Sequence, residues 1–202
     1  MAHVELNLAT DTFVLPVPVL PREASLVEAL RQRASARSFA SDDLSADQVS
    51  ALLYAACGVN RPQTGGRTAP SAHNWREIDI FAVFEQGSYR YNAAHHRLDL
   101  VKAEDLRSLT GTQDFVGSAP LNLVYVANLE RATPATREEQ NFLIGADAGC
   151  IAQNVYLYCA STGLATVVRG LVDRKQLAKA LGLGPTQRIA LAQTVGMPSR
   201  HP

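Results

Sequence analysis

Between Thr136 and Thr162 the sequence carries its longest uninterrupted candidate helix, about seven turns at 3.6 residues per turn. Phe142, Leu143, Ala146, Cys150, Ile151, Val155, Tyr158 and Cys159 spread widely around it before Gly163 stops it. A helix that is apolar over most of its circumference belongs in a core or an interface. The other elements must therefore pack round it, or part of its surface must be handed to a partner. The composition allows either, because 47% hydrophobic and 19% charged residues are ordinary for a globular chain and exclude disorder as the default state.

Other elements announce themselves by caps and turns. Ser25-Leu26-Val27-Glu28 has capping-box spacing and predicts a short helix running out near Arg33. Ser45-Ala46-Asp47-Gln48 opens a second helix, with Val49, Leu52, Leu53 and Ala56 apolar and Gly58 as its stop. Gly58 to Ala72 is loop composition, and Ile78 to Phe84 is strand-like, turning at Gln86-Gly87 into an extended piece around Tyr89 and Tyr91. A short helix is expected near Ala103 to Leu109. Strands follow at Leu121–Ala127, Leu164–Val168 and Ile189–Val195, and Asp173 caps a last helix through Leu181. Residues 1–22 form an extended arm, since Pro16, Pro18 and Pro21 forbid a regular helix among its apolar residues. Helices and strands mix without regular βαβ alternation or a dividing linker, which predicts a single α+β domain over residues 1–202.

Charge and motif exclude several classes. Nineteen basic against nineteen acidic residues leave no bulk field for a nucleic acid. Glu5 and Asp11 interrupt any leader or membrane-spanning run, so a cytoplasmic, membrane-free protein is expected. Cys57, Cys150 and Cys159 lack C-x-x-C spacing and read as buried thiols. The common nucleotide, hydrolase and zincin signatures are absent. His95 and His96, adjacent on an extended segment, point to opposite faces and read as a solvated hairpin with no metal.

Three constellations remain. Arg33, Ser35 and Arg37 on extended backbone share one face over about 13 Å, a ladder of donors suited to a phosphate at one end and a polar chain or heteroaromatic edge at the other. Taken alone, it also reads as a solvated basic turn. Pro70, Ser71 and Asn74 follow a glycine-rich loop; the small residues let backbone approach a flat ligand and Asn74 offers a donor and an acceptor, although a surface loop with a capping Asn has the same letters. The strand ending at Val168, Arg169 and Gly170 presents main-chain N–H groups to a ligand edge, or is an ordinary core strand.

In this order the three resemble the nitroreductase family of FMN-dependent oxidoreductases, over about residues 24–198. Its R-x-S-x-[RK] is met by Arg33, Ser35 and Arg37, its P-S-x-x-N by Pro70, Ser71 and Asn74, and its D-x-G-x-x-x-Q-N helix by Asp147, Gly149, Gln153 and Asn154. Gly163-Leu164 and the final Val195-Gly196-Met197-Pro198 complete the pattern. The resemblance implies a central mixed or antiparallel sheet flanked by helices, in an intertwined homodimer with FMN at the subunit interface. It assigns the phosphate, ribityl and pyrimidine side to Arg33, Ser35 and Arg37 of one subunit and the Pro70–Asn74 loop to the other. Main-chain amides of Arg169 and Gly170 fall near the flavin N5, with Arg200 as the remnant of a basic segment at the phosphate.

The chain departs from the family where N-x-Q-P-W becomes Asn74-Trp75-Arg76-Glu77 and the acidic-Gly pair becomes Arg169-Gly170. Its short middle between Phe84 and Asp114 looks closer to the branch that includes the azoline dehydrogenases. In such an enzyme the flavin does the chemistry and no side chain is a catalytic acid, base or nucleophile. The expected activity is electron transfer from NAD(P)H to a nitro compound, quinone or similar small acceptor. An FMN-dependent dehydrogenase of a ring or enone substrate and a flavin-binding protein without turnover are the alternatives.

Overall fold

The computed structural model describes residues 8, 10–20 and 25–199. The end of the proposed arm at Pro21 and Arg22, and Arg200, lie outside the described residues.

Each helix begins where a side chain answers a free N–H. Ser25 Oγ accepts from the Glu28 N–H at 3.0 Å ahead of α1 (Leu26–Gln32). Ser45 and Gln48 cap each other reciprocally at the start of α2 (Ala46–Cys57). Thr136 and Glu139 do the same for α3 (Arg137–Thr162), which ends on Gly163 at φ +73°, a left-handed value that glycine adopts without steric cost. Asp173 accepts from the Gln176 N–H to open α4 (Arg174–Ala180).

The strands are β1 (Thr12–Val14), β2 (Val59–Arg61), β3 (Gly66–Arg67), β4 (Ile78–Val83), β5 (Ser88–Asn92), β6 (Arg97–Lys102), β7 (Leu121–Asn128), β8 (Ala165–Arg169) and β9 (Gln187–Gly196). Seven form an antiparallel sheet in the order β1-β6-β5-β4-β7-β9-β8, while β2 and β3 make a separate small hairpin. The strand period of two sorts side chains to its faces. Ile78, Ile80, Leu123 and Tyr125 point into the cluster under α2 and α3, whereas Phe81, Val83, Val124 and Val126 join Leu177 and Leu181 of the α4 region. The architecture is thus α+β, with helices on both faces of a central sheet.

Several expectations change. The stretch between Phe84 and Asp114 holds an extra strand, β6, and its expected helix shrinks to a 3-10 turn at Arg107–Thr110. Asp105 forks onto the Arg107 guanidinium there, and the contact holds its carboxyl below the usual range although partial burial alone would raise it. His96 is half-buried. The β5–β6 hairpin folds down on α2, so that its ring meets Ser50 Oγ at 2.7 Å and the Tyr91 hydroxyl at 2.9 Å, while His95 stays exposed. Of the thiols only Cys159 is fully buried; Cys57 and Cys150 are half-buried. The arm enters the sheet through β1 and buries Leu15, yet Val14, Val17 and Val19 remain exposed.

One loop is held from beneath by acids. Asp147, 6% exposed in α3, accepts the Ala72 N–H at 2.8 Å. Fully buried Glu77 accepts from Ser71 Oγ at 3.2 Å through one oxygen, and its other oxygen has no partner among the described residues. Burial, reinforced by the neighbouring Asp147 charge, pushes the Glu77 carboxyl up from 4.5 to about 6. A rise of that size is worth about 2 kcal/mol, present below the unfolded value and lost as pH climbs through the folded one. Glu77→Gln, which keeps an acceptor for Ser71, is therefore expected to gain on the parent by about 2 kcal/mol between about pH 4 and about pH 8, measured by urea unfolding at both ends. Leu52→Ala, at a fully buried site of α2, is expected to cost about 2–5 kcal/mol in the same assay.

Candidate functional site

The ladder and the strand end meet at one phenol. Past α1, Ala36 donates its N–H to the Thr166 carbonyl at 3.0 Å, laying residues 33–37 beside β8. Ser35 Oγ lies 2.8 Å from the Tyr156 hydroxyl, which accepts the Val168 N–H at 2.9 Å. Arg33 places its guanidinium over the Tyr156 ring, 5.5 Å from the centroid. Arg33 and Arg37 are exposed, and neither has a carboxylate partner among the described residues. Two free guanidiniums flanking a hydroxyl form a donor set that fits a phosphate and an acceptor-rich edge.

The Pro70–Asn74 loop is built differently. Ser71 Oγ accepts the Arg76 N–H at 2.8 Å, closing the loop on itself above Glu77. His73, Asn74 and Arg76 all take positive φ, at 50°, 56° and 51°, a cluster of left-handed non-glycine residues. Asn74 is exposed, and Arg76 Nε donates to its Oδ1 at 3.0 Å, which turns the Asn74 amide donor outward. Pro70 is exposed beside it.

At the third constellation Val168 is half-buried, Gly170 is exposed, and a Cβ on Gly170 would meet nothing within 4 Å. The Arg169 side chain turns inward, 5% exposed, and contributes no cation to the surface. Its guanidinium donates to the Thr110 carbonyl at 2.7 Å, Asn122 Oδ1 at 2.9 Å and Thr194 Oγ1 at 3.1 Å, all neutral acceptors. Burial without a carboxylate pulls its pKa down to about 10. Gly111 makes room for it, since a Cβ there would lie 2.0 Å from the guanidinium.

The structure thus brings Arg33, Ser35 and Val168 together and leaves Pro70, Ser71 and Asn74 apart. No hydrogen bond or ion pair among the described residues joins the loop to either of the other segments. Their anchors on α3, Asp147 and Tyr156, are nine residues apart, about 13 Å along the helix. Sequence reasoning missed Tyr156 and Glu77. Tyr156 gave no local signal, because its partner Ser35 is 121 positions away. A lone charge inside an apolar helix, Asp147, was the available pointer to the acids under the loop. Among the described residues no helix is long and apolar enough to cross a membrane, and no group of three His, Cys, Asp or Glu side chains is placed to hold a metal ion.

Residues 30–197 match the nitroreductase family. A nitroreductase-like protein of Methanocaldococcus jannaschii is 32% identical over 170 residues, 79% of this chain and 85% of the relative. The crystal structure of a nitroreductase-like protein from Ralstonia eutropha superposes with a TM-score of 0.92 at 42% identity, covering 100% of this chain and 96% of the other. A chain of the Escherichia coli microcin synthetase complex, solved with truncated pro-MccB17 bound, shares the fold with a TM-score of 0.75 at 22% identity, over 83% of this chain and 70% of its own. With a family match over most of its length, on a fold its relatives share, the chain belongs to the nitroreductase family of oxidoreductases.

Proposed function

We propose that the chain is an FMN-dependent oxidoreductase that takes electrons from NAD(P)H and delivers them to a nitro compound, a quinone or a similar small acceptor. The observation that carries this reading is the Ser35–Tyr156–Val168 contact, which joins the donor ladder to the strand end that the family uses against a flavin. Arg33, Ser35 and Arg37 would hold the phosphate, the ribityl chain and the pyrimidine side. The main-chain amides of Arg169 and Gly170 would face N5, in the open space beside Gly170. When bound, FMN would supply hydride acceptance and electron delivery from one face. The residues of the chain orient and polarise: Tyr156 fixes the Ser35 hydroxyl, its ring steadies Arg33, and the Arg37 charge offsets the negative charge that builds on a reduced pyrimidine edge.

A second subunit completes the site on this reading. The Pro70–Asn74 loop of one copy would cover the ladder of the other, in keeping with the absence of a hydrogen bond or ion pair between them among the described residues. Helix α3 supports it with a stripe of exposed Phe142, Gly145 and Ala146 and half-buried Gly149, where Cβ atoms on both glycines would meet nothing within 4 Å. Exposed Val17, Val19, Leu26 and Val27 add apolar surface on the arm and α1.

The purified protein is expected to be yellow and to release FMN, not FAD, on denaturation. Arg33→Ala is expected to weaken retention about tenfold or more, the worth of a charge-assisted phosphate contact. A triple Ala variant at 33, 35 and 37 with full flavin occupancy would refute the assignment. Light scattering is expected to give a dimer of the 21.8 kDa chain, and Ala146→Glu to split it; a flavin-loaded parent monomer would contradict the shared site. Anaerobic mixing with NADH or NADPH is expected to bleach the flavin rapidly. The fold shared with the microcin synthetase chain favours a dehydrogenase of a ring substrate as the second reading, and slow bleaching would select it.

A further inference from the structure

Beneath the 69–77 loop, residues of α2, β4, β5 and α3 enclose a cavity of about 210 Å³. That is room for a small organic molecule, far more than a single water needs. None of Arg33, Ser35, Arg37, Asn74, Val168 or Gly170 lines it, so it is separate from the proposed flavin groove, although it shares Pro70 and Ser71 with the loop.

Its polar walls carry unanswered groups of both signs. Glu77 is fully buried and presents an oxygen with no partner, and Asp147 lies beside it. Arg67 and Arg131 each keep a buried Nε–H without an acceptor among the described residues. Arg131 is otherwise engaged by Asp79 and by the main-chain oxygens of Arg76 and Glu77, and Arg67 by the Cys57 carbonyl. Ile78, Ile80 and Ile151 supply an aliphatic wall, beside Tyr91 and Asn92.

A buried acceptor or donor left unmet is costly, and the costs here are of opposite charge. A simple anion would satisfy the guanidiniums yet leave the Glu77 oxygen unmet. A simple cation would satisfy Glu77 and leave the guanidiniums bare. A molecule bearing both an ammonium and a carboxylate answers both and brings no net charge. We propose that this cavity binds a free α-amino acid with a small aliphatic side chain, its ammonium on Glu77, its carboxylate on Arg67 and Arg131, and its side chain against the isoleucines.

The proposal stands apart from the flavin reading and is tested by calorimetric titration of the purified protein, its flavin content recorded, at about pH 8, where Glu77 is ionised. The probes are L-valine, isobutylamine, which lacks the carboxylate, and 3-methylbutanoate, which lacks the ammonium. Valine is expected to bind about tenfold or more tighter than either. Glu77→Gln, checked for folding by its thermal melt, is expected to weaken valine about tenfold or more without weakening 3-methylbutanoate. Valine binding is expected to persist at saturating FMN. Silence with all three probes, equal binding of valine and 3-methylbutanoate, indifference of valine to Glu77→Gln, or displacement of valine by FMN would each overturn the proposal. A protein that binds valine but no FMN would refute the flavin reading alone.

Discussion

Asp147 is the hinge pin of this molecule. A buried carboxylate in the middle of a helix is tolerable only when something answers it, and the answer is the Ala72 N–H at the head of the 69–77 loop. Through that bond α3 dictates where residues 69–77 lie. The loop then stacks Ser71 over Glu77 and delivers the chain into β4. With the Ser71 bonds to Arg76 and Glu77, that bond holds three residues in left-handed backbone. Twelve residues further along the same helix Cys159 is sealed in the core, where burial raises its thiol pKa out of any reactive range, so α3 is fixed at both ends of its buried face.

Arg169 shows how a site changes its composition without losing its frame. A buried guanidinium met only by Thr110, Asn122, Thr194 and Gln113 ties the 3-10 turn at 107–110 to β7 and β9. Its cationic head is spent on holding the sheet edge, which leaves the neighbouring main chain at Gly170 open. The position the family gives to an acid is here a strut.

Legibility followed the range of the interaction. The caps at Ser25, Ser45, Thr136 and Asp173 stood in the sequence because capping is settled within four residues. Helix α3 and β7 were plain for the same reason, one apolar over a long span and the other dense in β-formers. Strand β6 went unread although Leu98 and Leu100 alternate with Arg97 and Asp99, because its pairing with β1 and β5 is settled outside its own run. The motif residues Arg33, Ser35 and Arg37 were found by spacing, but the phenol that unites Ser35 with Val168 was not, since nothing near Tyr156 in the chain distinguishes it from Tyr158. Arg169 was read for its backbone alone, and the inward turn of its side chain depended on Gly111, 58 positions earlier.

The Tyr156 hydroxyl also joins the polar groups of that face to the sheet. A phenol has a single proton to give, and this one already accepts from the Val168 N–H. Its other hydrogen bond is shared with Ser35 Oγ, so the phenol and the serine answer each other whichever of the two gives its proton. The surface from Arg33 to Arg37 is then mostly donors: two guanidiniums, which have no acceptor atoms at all, beside a hydroxyl already tied to the phenol. Such a face favours an edge made of lone pairs over one that offers N–H groups. One buried tyrosine thereby ties the polarity of that face to the strand end behind it.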